Sequence, residues 1–397
     1  MYKRAYFLCC ATYHLAVSLY YAMMVDWRDT ETILVWQNNT NVEVDEKLLK
    51  KTFDKVIRVR GKDLVTYPFL EQQRYKTVNA GWLFPVSEIG KMFKEVPSGN
   101  IVFLFNDVAR LTDKIAYEFG KKSGNKIILV DEGTGTYHKS VFSKKTKEKI
   151  GNLICGLKTE NYIGGNKNID VVIAREIDKL PAYQSDGRVV VKQNNIFFDI
   201  QWVNKLTKDF ENSFSLLKHN ENERLMLWIG EPLSPTHIDK KNEDKVLNRI
   251  FETAKNKYRI VIKKHPRDTK EKYMKYVSQY DAILVDQKEL EWLPVEILTN
   301  ILRPDMVLTP LSSAPMGIDD RIVVGYCYSL FGIDNVSEVI SRLMRTRRNT
   351  FVIEGYDMIG NQYPLESEGF CSDSEKHIFI ENKDIHYIEA LLSEEVR

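Results

Sequence analysis

The stretch "YRIVIKKHPRD", residues 258–268, reads as a buried strand running into a basic turn. Ile260, Val261 and Ile262 supply β-branched packing. Pro266 cannot donate to a sheet ladder, and the residue before a proline is pushed toward extended geometry, so the strand stops here. His265 is thereby placed at the carboxyl end of a strand, the rim where open α/β sheets bind ligands. Lys263, Lys264, His265 and Arg267 put four potential cations within five residues, a rim suited to an anion. Alone, a solvated basic turn explains the same letters equally well.

Outward from this stretch the chain alternates strands and helices. "RLMLWIGEP" precedes it as a strand, and "DKKNEDKVLNRIFETAKNK" as a helix with an apolar stripe at Val246, Ile250 and Ala254. After it come a helix over 270–280, the strand "DAILVDQ", the helix "LPVEILTNILRP", the strand and loop "DMVLTPLSSAPMG", and "DRIVVGYC" closing the sheet. The first half repeats the scheme: "AYFLCCA", a helix "TYHLAVSLYYAMM" with Thr12 as its cap, "ETILVWQN", a helix over 43–53, "DKVIRVRG", an irregular piece over 64–96, "GNIVFLFND", a helix over 108–124 and "NKIILVDEGTGTYH". Such alternation predicts parallel sheets with helices on both faces. The fold expected is α/β, with two Rossmann-like doubly wound domains facing across a cleft. Residues 1–195 form the first domain and 196–397 the second, with the tail 335–397 able to pack back on the first. The lysine-rich "KKTKEK" and the breaker "NYIGGNKN" mark a less regular middle.

Composition narrows the class. The 397 residues are 43% hydrophobic and 28% charged, as in globular proteins, and a net charge of +2 argues against a nucleic-acid binder. Five scattered cysteines show neither disulfide nor zinc spacing, and a reducing cytoplasm fits them. The apolar run over 5–25 follows Lys3 and Arg4 like an anchor, but Thr12, His14 and Ser18 interrupt it, so it is read as strand and helix of a soluble domain.

Four further features could carry chemistry. Asp131-Glu132-Gly133-Thr134-Gly135 follows the strand "KIILV": a carboxylate there could take a proton from a hydroxyl, and like-charge repulsion should raise one pKa of the pair. Ser312 and Ser313, at a strand end, could hold phosphate oxygens through hydroxyls and backbone N–H groups. Glu296, early in its helix after Pro294, could accept from ribose hydroxyls. Thr12 and His14 sit at the first strand-to-helix turn. Singly these are also an ordinary polar turn, a serine loop, a helix-dipole carboxylate and a cap.

Their order and spacing are less ordinary. The acidic pair with glycine, then His-Pro after a strand, then Pro-x-Glu on a helix, then Ser-Ser, resembles the bacterial sialyltransferases of GT-B architecture: glycosyltransferase family 52, the capsule polysialyltransferases and the marine-bacterial enzymes. "VDEGTGTYH", "KKHPRD" and "LPVEILTNILRPDMVLTPLSSAP" carry the likeness, over roughly residues 1–330.

The resemblance implies an inverting transfer of sialic acid from CMP-sialic acid to a galactose or sialic acid hydroxyl of a bacterial surface glycan. It implies that His265, with Pro266 and Lys264, sits beside the CMP phosphate and stabilises or protonates the leaving oxygen. Ser312 and Ser313 would bind the same phosphate, Glu296 the ribose, and Gly133 and Thr12 would line the donor or acceptor site. Asp131 would be the general base and Glu132 its support. In family 52 the base comes from a loop after the first strand of the second domain, which here makes Glu231 the rival. Asp131 is preferred because the acidic pair matches its motif more closely. The donor carries one phosphate and the chain has no Asp-x-Asp, so no metal and no other cofactor is expected. Other readings are a transferase for another CMP-linked nonulosonate or Kdo, a UDP-sugar or CDP-polyol phosphate enzyme, and a non-catalytic binder. Arg342, Arg345, Arg347 and Arg348 could dock peripherally on anionic lipid at the inner face of the cytoplasmic membrane. Oligomeric state stays open, a dimer included.

Overall fold

The structure, a computed structural model, describes residues 2–37, 42–59, 98–107, 116, 119–120, 122–137, 162–215, 217, 223–234, 237–334, 336, 338–359 and 383–393. The irregular piece expected over 64–96, most of the helix expected over 108–124 and the "KKTKEK" segment lie outside them. The chain forms two compact units, one of residues 1–39, 45–196 and 380–397, the other of residues 40–44 and 197–379.

The first unit is built on seven strands: β1 (Arg4–Cys9), β2 (Glu31–Gln37), β3 (Lys55–Val59), β4 (Asn100–Leu104), β5 (Lys126–Val130), β6 (Val171–Ala174) and β7 (Val189–Lys192). All pair in parallel, in the order β3-β2-β1-β4-β5-β6-β7. Beyond their first residues, Arg4, Asn100 and Lys126, the central strands β1, β4 and β5 are apolar and buried because both faces are covered. Helix α1 (Thr12–Met24) follows β1, and Phe7 of β1 stacks on Phe103 of β4 at 4.8 Å. The helix Lys383–Leu392 returns from the end of the chain to this unit, where the Tyr21 hydroxyl donates to Asp384 at 2.9 Å. Thr12 does not cap α1. Ala11 takes the cap position with extended backbone, no side chain caps it, and Thr12 is the first helical residue.

The second unit holds β8 (Leu225–Ile229), β9 (Arg259–Lys263), β10 (Ile283–Leu284), β11 (Met306–Thr309), β12 (Val323–Tyr326) and β13 (Thr350–Val352). They too pair in parallel, in the order β10-β9-β8-β11-β12-β13. The helix Lys240–Ala254 buries Val246, Ile250 and Ala254 on this sheet, with Phe251 edge-on to Trp228 at 5.6 Å. The sheet does not close at "DRIVVGYC": β13 adds one more strand. Its three half-buried residues are too short for any pattern to reveal.

Strand order reverses beside β1 in the first sheet and beside β8 in the second. At each switch point the loops after neighbouring strands part and leave a crevice at the carboxyl ends. After β4 and β5 these loops carry Asn106 and Glu132, and the first turn of α1 after β1 carries His14. After β8, β9 and β11 they carry Glu231, His265 and Ser312.

The arginine cluster is not a single exposed face. Arg347 is buried, and its guanidinium donates to the Asp319, Ile322 and Arg348 carbonyls and to the Thr350 hydroxyl, tying the helix Glu338–Thr346 to β13. Arg345 and Arg348 are exposed. Among the described residues no helix is long and apolar enough to cross a membrane.

Candidate functional site

The rim of the second sheet brings several of the expected residues together. β9 ends at Lys263, and the turn that follows closes with Asp268 N–H donating to the His265 carbonyl at 2.9 Å. Arg267 N–H donates to Nδ1 of His265 at 3.1 Å. That bond leaves Nδ1 as the acceptor and puts the ring proton on Nε2, so the imidazole presents an Nε2–H donor. Burial and the Arg267 charge push the His265 pKa down to about 4, so the ring is neutral at pH 7. His265 thus presents a neutral ring whose free donor is Nε2–H.

The two lysines do not supply free charge. Lys263 is buried, and its ammonium donates to the carbonyls of Leu290, at 3.0 Å, and of Glu291. Burial drives its pKa down to about 7 even with Glu291 nearby. Lys264, expected on the phosphate, is also buried and pairs with Glu291 at 2.6 Å. Strand-end lysines look like an anion site in sequence. In three dimensions they hold the short helix Lys288–Glu291 onto β9.

Glu231 follows β8 directly. Gly230 before it is a close approach: a Cβ there would lie 2.3 Å from the Tyr273 hydroxyl and 3.2 Å from His265 N. The glycine lets the Glu231 loop lie against the His-Pro turn. Glu231 is half-buried. Burial raises its pKa to about 7, with the Ser312 hydroxyl donating to it and pulling the other way, Asp268 raising it, and Arg267 and Lys272 lowering it. Lys272 braces the loop, its ammonium donating to the Glu231 carbonyl at 3.0 Å while pairing with Glu243 at 2.7 Å and Asp268 at 3.1 Å. Tyr273 O–H also donates to Asp268, at 2.9 Å. Reading the sequence missed this brace. Its one signal is the four-residue spacing of Asp268 and Lys272 across a helix start.

Ser312 is held on both sides. Its hydroxyl accepts from Ala314 N–H at 3.3 Å and lies toward Glu231, where it favours the charged form, while the Tyr326 hydroxyl donates to its carbonyl at 3.0 Å. Ser313 opens the 3₁₀ turn Ala314–Gly317 without a side-chain cap bond. Glu296, in the first turn of the helix Val295–Leu302, is buried against that turn: a Cβ on Gly317 would lie 2.6 Å from Glu296 Cγ.

The acidic turn of the first unit behaves differently from its expectation. Asp131 is 0% exposed and accepts from Gly133 N–H at 2.6 Å, Arg175 Nε at 3.0 Å, Arg175 N–H at 3.3 Å and the Tyr137 hydroxyl. Gly133 has φ +106, a conformation other residues avoid, and this bends its N–H back onto Asp131. Burial alone would raise the Asp131 pKa, but the Arg175 charge and these hydrogen bonds hold it below the ordinary carboxylate value. A buried carboxylate saturated with donors is a poor proton acceptor, whereas the Glu231 pKa is raised. The two acids also do not share a site. Glu132 turns away to accept from Asn106 Nδ2 at 3.0 Å and lies 3.7 Å from His14 Nε2.

Replacing Asp131 with Ala should act on stability first. Arg175 would be left buried without its counter-charge, a loss of about 3–5 kcal/mol, read by urea denaturation. The Asp131 contribution is complete above its ordinary pKa of 3.8 and is lost as pH falls through the lower folded value.

The family model for alpha-2,8-polysialyltransferase (POLYST) matches residues 7–316, which span the acidic turn, Glu231, the His-Pro turn and the serine loop. The chain belongs to the alpha-2,8-polysialyltransferase family. As a member it is a glycosyltransferase of the sialyltransferase kind, passing a sugar from a nucleotide-sugar donor to a surface glycan acceptor. No curated protein matches it in sequence. Among solved structures, a Methanocaldococcus jannaschii UDP-GlcNAc 2-epimerase in complex with UDP-GlcNAc and UDP is 13% identical, with 99% of each chain covered and a TM-score of 0.53. Phytolacca americana UGT2, complexed with UDP-2fluoro-glucose and pterostilbene, is 10% identical, with 99% of each chain covered and a TM-score of 0.53. Arabidopsis thaliana UGT89C1, complexed with UDP, is 9% identical, with 91% of this chain and 88% of that chain covered and a TM-score of 0.52. At these identities the likeness is one of fold, and this polysialyltransferase-family chain has the GT-B architecture.

Proposed function

We propose that the protein transfers sialic acid from CMP-sialic acid with inversion, using Glu231 as the base. The acceptor hydroxyl, on a terminal sialic acid or galactose, attacks the anomeric carbon. Its proton passes to Glu231, the bond from that carbon to the phosphate oxygen breaks, and CMP leaves. His265 Nε2–H donates to the phosphate as charge develops there. Glu296 takes the ribose hydroxyls and the Ser313 segment meets the phosphate. The observation that carries this reading is Glu231 itself. It is a half-buried carboxylate with a pKa raised to about 7, beside Ser312 and against the His265 turn at the switch point of the second sheet. A base works best with a pKa near the working pH. The polysialyltransferase family match favours sialic acid as the acceptor.

Nucleotide preference tests the donor. CMP should raise the melting temperature more than UDP, by about 2.7 kcal/mol of stabilisation at a hundredfold excess over Kd. Transfer from CMP-sialic acid to a panel of sialosides and galactosides, read by mass spectrometry, should give the sialylated product. A larger shift with UDP and no transfer would sink the proposal. A single phosphate needs no cation to clamp a diphosphate, so turnover with EDTA should match turnover without it.

A further inference from the structure

The mechanism leaves one cluster of reactive groups unused. At the switch point of the first sheet, Cys10 follows β1 directly and its Sγ lies 3.3 Å from His14 Nδ1. The Cys10 backbone N–H points at the same nitrogen, at 3.4 Å. The His14 ring is fixed by stacking on Phe105, with centroids 4.6 Å apart and planes 7° apart. Its other nitrogen, Nε2, lies 3.7 Å from Glu132 Oε2, and that oxygen accepts from Asn106 Nδ2 at 3.0 Å. Thiol, imidazole and carboxylate thus stand in line, the thiol within hydrogen-bond reach of the imidazole and the carboxylate at ion-pair distance on its far side. This is the arrangement by which a base activates a nucleophile.

We propose that Cys10, His14 and Glu132 form a relay that makes Cys10 a reactive thiol, a site of reversible oxidation by peroxides. The thiol proton moves to Nδ1 of His14. The thiolate sulfur attacks one peroxide oxygen, the O–O bond breaks, and the departing hydroxide takes the proton from the imidazolium. The products are a sulfenic acid and water, with sulfur oxidised and peroxide reduced. Burial would pull the His14 pKa down, but the Cys10 sulfur and the Glu132 carboxylate raise it to about 9, so the ring can keep the proton it receives. Cys10 is half-buried and reachable. The other described cysteines are the internal contrast. Cys9 is buried against the Ser18 hydroxyl at 3.0 Å, Cys327 is buried in the second core, and burial pushes both thiols up. The relay is built from residues of the first unit alone and uses neither Glu231 nor His265, so it holds or fails independently of the donor assigned above.

The test uses the full-length reduced protein. One sample receives limiting N-ethylmaleimide and another receives hydrogen peroxide followed by dimedone, with the Cys10 peptide followed by mass spectrometry. Cys10 should be labelled roughly tenfold faster than glutathione at the same pH, and should form the dimedone adduct, while Cys9 and Cys327 stay unlabelled. His14→Gln should slow Cys10 labelling roughly tenfold, and Glu132→Gln less, at unchanged far-UV circular dichroism. Labelling no faster than glutathione, or no dimedone adduct, would overturn the proposal. If His14→Gln does not fold, the wild-type comparison with glutathione and the Glu132→Gln rate still decide it.

Discussion

Glu231→Gln should lower kcat/KM for sialyl transfer by about a hundred- to ten-thousandfold, the contribution of a positioned base. CMP should still raise the melting temperature of the variant, because the amide keeps the shape of the loop. The pH profile carries the sharper signature. A base must be ionised, so wild-type kcat/KM should climb with pH and level off above about 7, where Glu231 has lost its proton. In Glu231→Gln that acidic limb should vanish. Ser312→Ala removes the hydroxyl that favours the ionised form, so its limb should move to higher pH with the limb's shape kept. Stability should move the other way from activity. With a folded pKa raised from 4.5 to about 7, the carboxylate's contribution is complete below 4.5 and is lost as pH rises through 7. Above pH 7 the glutamine variant should therefore melt no lower than wild type. A limb that survives in Glu231→Gln would return the base to another residue.

His265→Ala should cost about a hundred- to a thousandfold in kcat, the range for one donor aimed at developing charge. The donor is Nε2–H of a neutral ring, since Nδ1 is occupied by Arg267 N–H. His265→Gln, which can place an amide N–H near that position, should recover part of the loss. A pH profile with its acidic limb still near 7 in both variants would assign that limb to Glu231, because His265 titrates near 4. Full turnover in His265→Ala would remove the imidazole from the reaction.

How far the chain could be read follows from range. The strand into His265 was legible because β-branched residues and a proline act on their immediate neighbours. The stripe of Val246, Ile250 and Ala254 was legible because a helix repeats its buried face every turn. The pairing of Lys264 with Glu291, or of Ser312 with Glu231, was not, since these partners are far apart in sequence and meet only when β8, β9 and β11 lie side by side. β13 escaped because three residues make no period.

The site shows the same division. Residue types and their order told that carboxylates, an imidazole and hydroxyls gather at strand ends. What sets the two carboxylates apart is the set of donors and charges around each. Asp131 lies among Arg175, Tyr137 and Gly133 and is held below the ordinary value, whereas at Glu231 burial outweighs Ser312, Arg267 and Lys272 and raises the pKa. A one-dimensional chain specifies which side chains can form sheets, turns and helices, because those are near-neighbour forces. The pKa of a carboxylate depends on water excluded and charges brought close by distant segments, so only the folded packing of each sheet rim could set it.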